Sequence, residues 1–157
     1  MFPAKHAQLG ERVFFSVDVC HLASVTPRQL QWWDERKLVS PQKQDHRRIY
    51  KPQHVVEILT VAALRRKGMS FPRIRRVLRL MRGELGKRLS AGSPGQAKLY
   101  LITDGKSVQL EEQPDLILDQ LSNAEAPMFL VSISDQIKRL SGAKIPRRYL
   151  AKQLQLF

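Results

Sequence analysis

The sequence predicts an α+β protein, with a helical N-terminal domain followed by a small β-β-α-β(-α) domain. Apolar residues recur at helical spacing as far as residue 82, whereas beyond residue 96 they form short runs that are typical of strands. An Ala-Gly-Ser-Pro-Gly stretch lies between the two patterns and is typical of a linker. We therefore expect a flexible arm at 1–13, a first domain at 14–82, a linker at 83–96, a second domain at 97–142 and a basic tail at 143–157.

A short first helix is predicted between Phe14 and Val25, where Val17 and Cys20 would give it one apolar side. Cys20 is the only cysteine, which excludes an internal disulfide and paired-cysteine metal or redox motifs. We expect its thiol to lie in the core, because free cysteine is among the most buried residue types.

The next helix has local start signals. Thr26 is a favourable N-cap, and Pro27 fits the first helical position, so we expect a helix that extends to Arg36. Leu30 and Trp33 lie three residues apart and should share its buried face.

Residues 42–48 are all polar or charged, which predicts a short exposed hairpin. Two longer helices should follow, the first starting at Pro52 and the second capped by Ser70. Their predicted buried residues are Val55, Ile58, Leu59 and Ala62 in the first and Ile74, Val77, Leu78 and Met81 in the second. The opposite face of the second helix is basic, with Arg73, Arg75, Arg76, Arg79 and Arg82.

Beyond the linker, Asp104-Gly105 between two apolar runs predicts a hairpin. Pro114 should start a helix, residues 128–133 a buried strand, and Ser134 a last short helix. Leu99, Leu101, Ile102 and Val131 would form an apolar surface that so small a domain covers poorly, which favours dimerisation or the binding of a partner or ligand.

The charge of the chain is unevenly distributed. Residues 1–92 carry 19 Lys and Arg against 7 Asp and Glu, residues 93–142 carry 4 against 7, and the last 15 residues carry 4 against none. The net charge of +13 predicts a polyanionic partner, although such a surface also serves solubility alone. No apolar run approaches the roughly 18 residues of a membrane span, and no secretory signal is visible. We therefore expect a cytoplasmic, nucleoid-associated protein with no membrane partner.

The predicted order of elements in the first domain is helix, turn, helix, polar hairpin and two further helices. This is the order of a winged helix-turn-helix. Its second helix enters the major groove of duplex DNA, where Arg and Gln pair bidentately with guanine and adenine. The candidate DNA-contacting residues are Arg28, Gln29, Gln31 and Trp32 on this recognition helix (26–36) and Lys43, His46, Arg47 and Arg48 on the hairpin, or wing (42–50).

Several motifs resemble the MerR family of transcriptional regulators. They are Thr-Pro-Arg-Gln-Leu-Gln-Trp-Trp-Asp at 26–34, Leu-Val-Ser-Pro at 38–41, Arg-Ile-Tyr at 48–50, His-Val-Val-Glu-Ile-Leu at 54–59 and Lys-Gly-Met-Ser at 67–70, followed by Ile74. The motifs keep the family's order and nearly its spacing, and the resemblance covers about residues 14–82.

The resemblance implies a homodimer that reads a near-palindromic promoter site and changes how RNA polymerase engages that promoter. It adds Thr26, Pro27 and Tyr50 to the candidate DNA-contacting residues. We expect no enzyme, metal site or cofactor, because the four histidines are scattered and no nucleophile is paired with a base.

The sequence also departs from the family's pattern. Gln31 stands where the family has Arg, and Ser24 stands where Gly is usual. The wing and the first turn each look one residue short. Gly83 and Gly86 are expected to break the helix that in the family leads into a long dimerising coiled coil.

The closing residues Gln-Leu-Gln-Leu-Phe resemble the peptide by which bacterial replication proteins bind the sliding clamp. Gln153, Leu154, Leu156 and Phe157 are therefore candidate partner-binding residues, and a terminal helix or strand that folds back on the domain is the alternative. An alternative function is that of an antitoxin or a replication or chromosome accessory protein. Such a protein would use the same fold for less specific DNA binding and the tail for a protein partner.

Overall fold

The computed structural model of the chain describes residues 13–90 and 99–142, without the side chains of residues 84–90 and 141. Nearly all of the predicted arm, residues 91–96 of the predicted linker and the whole tail with Gln153, Leu154, Leu156 and Phe157 lie outside the described residues. The α+β class is confirmed. The elements are β1 (Phe14–Phe15), α1 (Ser16–Ala23), α2 (Pro27–Glu35), β2 (Gln42–Gln44), β3 (Arg47–Tyr50), α3 (Pro52–Arg66), α4 (Phe71–Ser90), β4 (Tyr100–Thr103), β5 (Val108–Glu111), α5 (Pro114–Ser122), β6 (Phe129–Ser132) and α6 (Ile133–Ser141).

The first sheet contains a strand that was not predicted. Its antiparallel order is β1-β3-β2, and β1 pairs Phe14 with Tyr50 across the sheet. The pairing sets the rotation of α1, which begins directly after β1, and it buries Val19 and Ala23. Val17 is 45% exposed, so its predicted core position is wrong.

Helix α3 lies at the centre of the molecule. Most of its residues are buried, and they lie on all sides of the helix. They include the four that were predicted, Val55, Ile58, Leu59 and Ala62. It packs against α1, α4 and β3 of the first domain and against β6 and α6 of the second. One hydrophobic cluster therefore runs through both domains.

The second domain is a three-stranded antiparallel sheet of order β5-β4-β6 with the predicted hairpin at Asp104-Gly105. Gly105 has a φ of 93°, and a Cβ at this position would lie 2.9 Å from Cδ of Arg73 in α4. The turn therefore requires glycine both for its backbone conformation and for its close approach to the first domain.

The expected exposed apolar surface of the second domain does not exist in the structure. Its four residues are each at most 5% exposed: Leu99, Leu101, Ile102 and Val131. Helix α6 packs on β4, α3 packs on β6, and α4 packs on β5. The argument for dimerisation from this surface is therefore wrong, because α6 of the second domain and α3 and α4 of the first domain already pack against this sheet.

Two predicted boundaries are also corrected. Helix α4 continues past Gly83 and Gly86 to Ser90, so residues 83–90 are helical and not part of a linker. Glycine inside a helix costs only about 1 kcal/mol, and the residues around these two are good helix formers. The last helix begins at Ile133 with Ser132 as its N-cap, whose side chain accepts from the Asp135 backbone N–H, and not with Ser134.

Candidate nucleic-acid interface

The start of the recognition helix is fixed by a reciprocal cap. The Gln29 backbone N–H donates to Oγ1 of Thr26 at 3.1 Å, and the Thr26 backbone N–H donates to Oε1 of Gln29 at 2.9 Å. Two predicted DNA-contacting residues thus satisfy N–H groups that have no partner within a helix. Both residues, together with Pro27, remain exposed.

The recognition helix has one buried side and one exposed side. Leu30 and Trp33 are 2% and 3% exposed, as predicted. On the opposite side Arg28 is exposed, and Nε2 of Gln31 donates to Oε1 of Glu35 at 2.9 Å. The buried pair holds the helix in place while its polar side faces solvent.

Trp32 is half-buried and joins the recognition helix to α4. Its ring meets that of Phe71 edge to face, with centroids 4.9 Å apart, and the Arg36 guanidinium carbon lies 4.6 Å from its centroid. A surface cleft of about 520 Å³ opens beside this contact. It is lined by Thr26, Arg28, Gln29, Trp32, Trp33, Arg65 and Phe71.

The wing is tied to the recognition helix by an ion pair. Nε of Arg48 lies 2.7 Å from Oδ2 of Asp34, and the Arg47 guanidinium carbon lies 5.5 Å from the centroid of the Phe15 ring. Both arginines are half-buried, whereas Lys43 and His46 are exposed. The wing is therefore held at a fixed position, with its cationic tip in solvent.

The tip of the wing turns without glycine. Asp45 and His46 have φ values of 51° and 66°, the left-handed pair that a two-residue hairpin turn requires. Aspartate and histidine adopt this conformation more readily than most residues, which explains how the hairpin closes without glycine.

Tyr50 does not face solvent. Its side chain is fully buried, and this burial raises the pKa of its hydroxyl to about 12. The prediction that it contacts DNA therefore does not hold in this structure, because Tyr50 pairs with Phe14 of β1, which was not predicted, and lies with it in the hydrophobic core. Tyr50 instead anchors β3 to the core.

Arg65 and Phe71 lie at the same surface, although they were not predicted to contact DNA. Arg65 donates to the Met69 carbonyl at 3.2 Å, and its guanidinium carbon lies 4.6 Å from the centroid of the Phe71 ring. Both side chains flank the turn at Gly68, which connects α3 and α4. The family motif at 67–70 was the one signal that this turn lies beside the recognition helix.

Cys20 is half-buried against the core, and this burial raises the pKa of its thiol. Among residues 13–90 and 99–142, no three histidine, cysteine or acidic side chains are placed to hold a metal ion. No helix in that part of the chain is long and apolar enough to cross a membrane.

Comparison with known proteins agrees with this geometry. The family model described as MerR HTH family regulatory protein matches residues 16–80, which is nearly the range 14–82 of the resemblance. A search of curated proteins finds no match for the chain. Members of the matched family are DNA-binding regulators. Residues 16–80, from α1 into α4, therefore form a MerR-type helix-turn-helix domain.

Proposed function

We propose that the chain is a DNA-binding transcriptional regulator that binds a near-palindromic promoter site as a homodimer. The observation that carries the proposal is the joint placement of α2 and the wing. Leu30 and Trp33 anchor α2 from behind, and the Arg48–Asp34 pair fixes the wing beside its exposed side. A helix with an adjacent cationic hairpin matches a major groove flanked by phosphates.

The proposed role requires two copies of the helix. A single α2 offers few base-reading side chains, and a second copy related by a two-fold axis reads an inverted half-site about one helical turn away. Bound between promoter elements at the nucleoid, such a dimer changes how RNA polymerase engages that promoter.

Selection of bound fragments from a random duplex pool tests this proposal. We expect an inverted repeat to be recovered, and light scattering of the protein with the selected duplex should give two chains per duplex. Recovery of no preferred sequence, or one chain per duplex, would contradict it.

Arg28→Ala is expected to reduce the preference of the protein for the selected duplex over a random one. Arg28 is exposed on the reading side of α2, and a bidentate contact to guanine is worth roughly 1–3 kcal/mol. Binding to the selected duplex should weaken by that amount while binding to a random duplex changes little. Binding affinity is measured by fluorescence anisotropy. Equal losses of affinity for both duplexes would show that Arg28 does not contact a base.

Lys43→Ala is expected to weaken binding to every duplex alike. Lys43 is exposed on the wing, where a contact to phosphate positions the protein without reading sequence. The slope of log affinity against log salt should become shallower by about one. Lys106→Ala, at the exposed tip of the other hairpin, is the matched control and should leave the slope unchanged.

A second candidate is less specific DNA binding by an antitoxin or a replication or chromosome accessory protein. One observation favours it, because the side chains of Gln29 and Gln31 are engaged within α2 itself and are less available to bases. In that case the tail, with its resemblance to a clamp-binding peptide, would bind the protein partner. The two candidates differ in the ratio of specific to random affinity, which exceeds roughly 10³ for an operator-binding protein.

A further inference from the structure

The C-terminal end of α1 is held by two arginines from distant parts of the chain. Nη2 of Arg66, in the last turn of α3, donates to the carbonyl oxygens of Ala23 at 2.7 Å and Ser24 at 3.2 Å. Nη2 of Arg139, in α6, donates to the carbonyl oxygen of Leu22 at 2.9 Å. Three successive carbonyl groups at a helix end, where intrahelical partners are lacking, are thus bound by guanidinium groups.

This helix end is also the turn of the helix-turn-helix. Ser24 has a φ of 54°, in the left-handed region. The backbone N–H groups of Ser24 and Val25 both donate to the carbonyl oxygen of Cys20. Thr26 then caps α2. The direction in which α2 leaves α1 therefore depends on the segment whose carbonyl groups the two arginines hold.

Helix α6 is itself firmly attached to α3. Ile133, Ile137 and Leu140 are buried in the shared core. The buried hydroxyl of Thr60 in α3 lies 3.1 Å from Oε1 of the buried Gln136 and 2.8 Å from the Val56 carbonyl oxygen. Buried polar groups need such partners, so this contact fixes the rotation of α6. Arg139 therefore donates to the Leu22 carbonyl oxygen from a helix that is packed against α3.

We propose that the second domain positions the recognition helix through Arg139. The guanidinium group adds a donor and a positive charge at the C-terminal end of α1, where the helix dipole favours cations. Arg139 acts through the Leu22 carbonyl and not by touching DNA, so it is a positioning residue. The link to DNA reading rests on the proposed function, whereas the link to the turn does not.

Hydrogen–deuterium exchange of the full chain tests the link to the turn. We expect the hydrogen-bonded backbone amides of Ser24, Val25, Thr26 and Gln29 to exchange about five- to tenfold faster in Arg139→Gln, because a charge-assisted hydrogen bond is lost. Lys138→Gln removes an equal charge from the neighbouring exposed residue of α6 and should change nothing. Arg139→Lys should restore part of the protection. Equal exchange in Arg139→Gln and Lys138→Gln overturns the proposal.

Duplex binding by the same variants tests the link to DNA reading. Both Gln variants lose one positive charge, so any general electrostatic weakening is shared. On the selected duplex Arg139→Gln should lose about three- to tenfold more affinity than Lys138→Gln, which corresponds to one weakened hydrogen bond. No extra loss overturns the positioning role in DNA reading. If the unmodified chain binds no duplex, the proposed function fails, and the exchange result still decides whether Arg139 orders the turn.

Discussion

Trp33→Ala is expected to lower the free energy of unfolding by about 3–5 kcal/mol, the usual cost of removing a buried aromatic side chain. Trp33 is buried between the recognition helix and the core. The Leu38 backbone N–H donates to its carbonyl oxygen at 2.9 Å, so the side chain lies where α2 ends and the chain turns towards the wing. The resulting cavity should loosen this turn as well as reduce apolar burial.

Urea denaturation followed by far-ultraviolet circular dichroism measures the effect without relying on tryptophan fluorescence. Val17→Ala is the matched control, because Val17 is apolar but exposed on α1, and such changes usually stay within about 0.5 kcal/mol. A loss below about 1 kcal/mol for Trp33→Ala would contradict the buried position of its ring.

Arg82→Ala is expected to cost roughly 2–4 kcal/mol near pH 7.5, because it leaves a buried carboxylate without its cation. Nε of Arg82 lies 2.5 Å from Oε1 of Glu57, whose side chain is 3% exposed. Nη2 of Arg82 also donates to the Leu38 carbonyl oxygen at 2.6 Å. The Arg82 side chain is 42% exposed, so water replaces part of what is lost, and the expected cost lies below that of a fully buried pair. Arg79→Ala, on the exposed side of the same helix, is the control and should have little effect.

The cost of Arg82→Ala should depend on pH. Burial raises the pKa of Glu57, while the hydrogen bond and charge of Arg82 lower it. Without Arg82 the pKa in the folded state rises further above its unfolded value. Folding then favours the protonated carboxyl, so the variant keeps its stability below the unfolded pKa and loses it as pH rises through the folded one.

Comparison of Arg82→Ala with the unmodified protein at pH 5 and pH 7.5 should therefore give the larger difference at pH 7.5. The double variant that also carries Glu57→Gln should lose this pH dependence. An equal difference at both pH values would show that the Glu57 carboxylate is not the group left unpaired.

The parts of the fold that local signals specify were predictable from the sequence. Helix α2 has an N-cap in Thr26, a proline at its first position and Leu30 and Trp33 at helical spacing, all within a few residues. Strand β1 is different, because its two residues become a strand only by pairing with β3. Without that pairing the rotation of α1 could not be derived, and Val17 was placed on the wrong side.

The candidate site was predicted in part for the same reason. Side chains on α2 follow from helical periodicity, and Arg28 and Gln31 lie on its exposed side as expected. The burial of Tyr50 and the pairing of Arg48 with Asp34 depend on how the wing packs against elements distant in sequence. Residue type alone did not distinguish these two residues from ones that face solvent.

The central position of α3 has a consequence for how this protein can be engineered. Elements of both domains enclose this helix. If the first domain were fused to a foreign effector domain, the side of α3 around Thr60 would therefore become exposed to water. Because each domain covers apolar surface of the other, we expect the chain to unfold in one cooperative step. For the same reason, replacing one domain should destabilise the other.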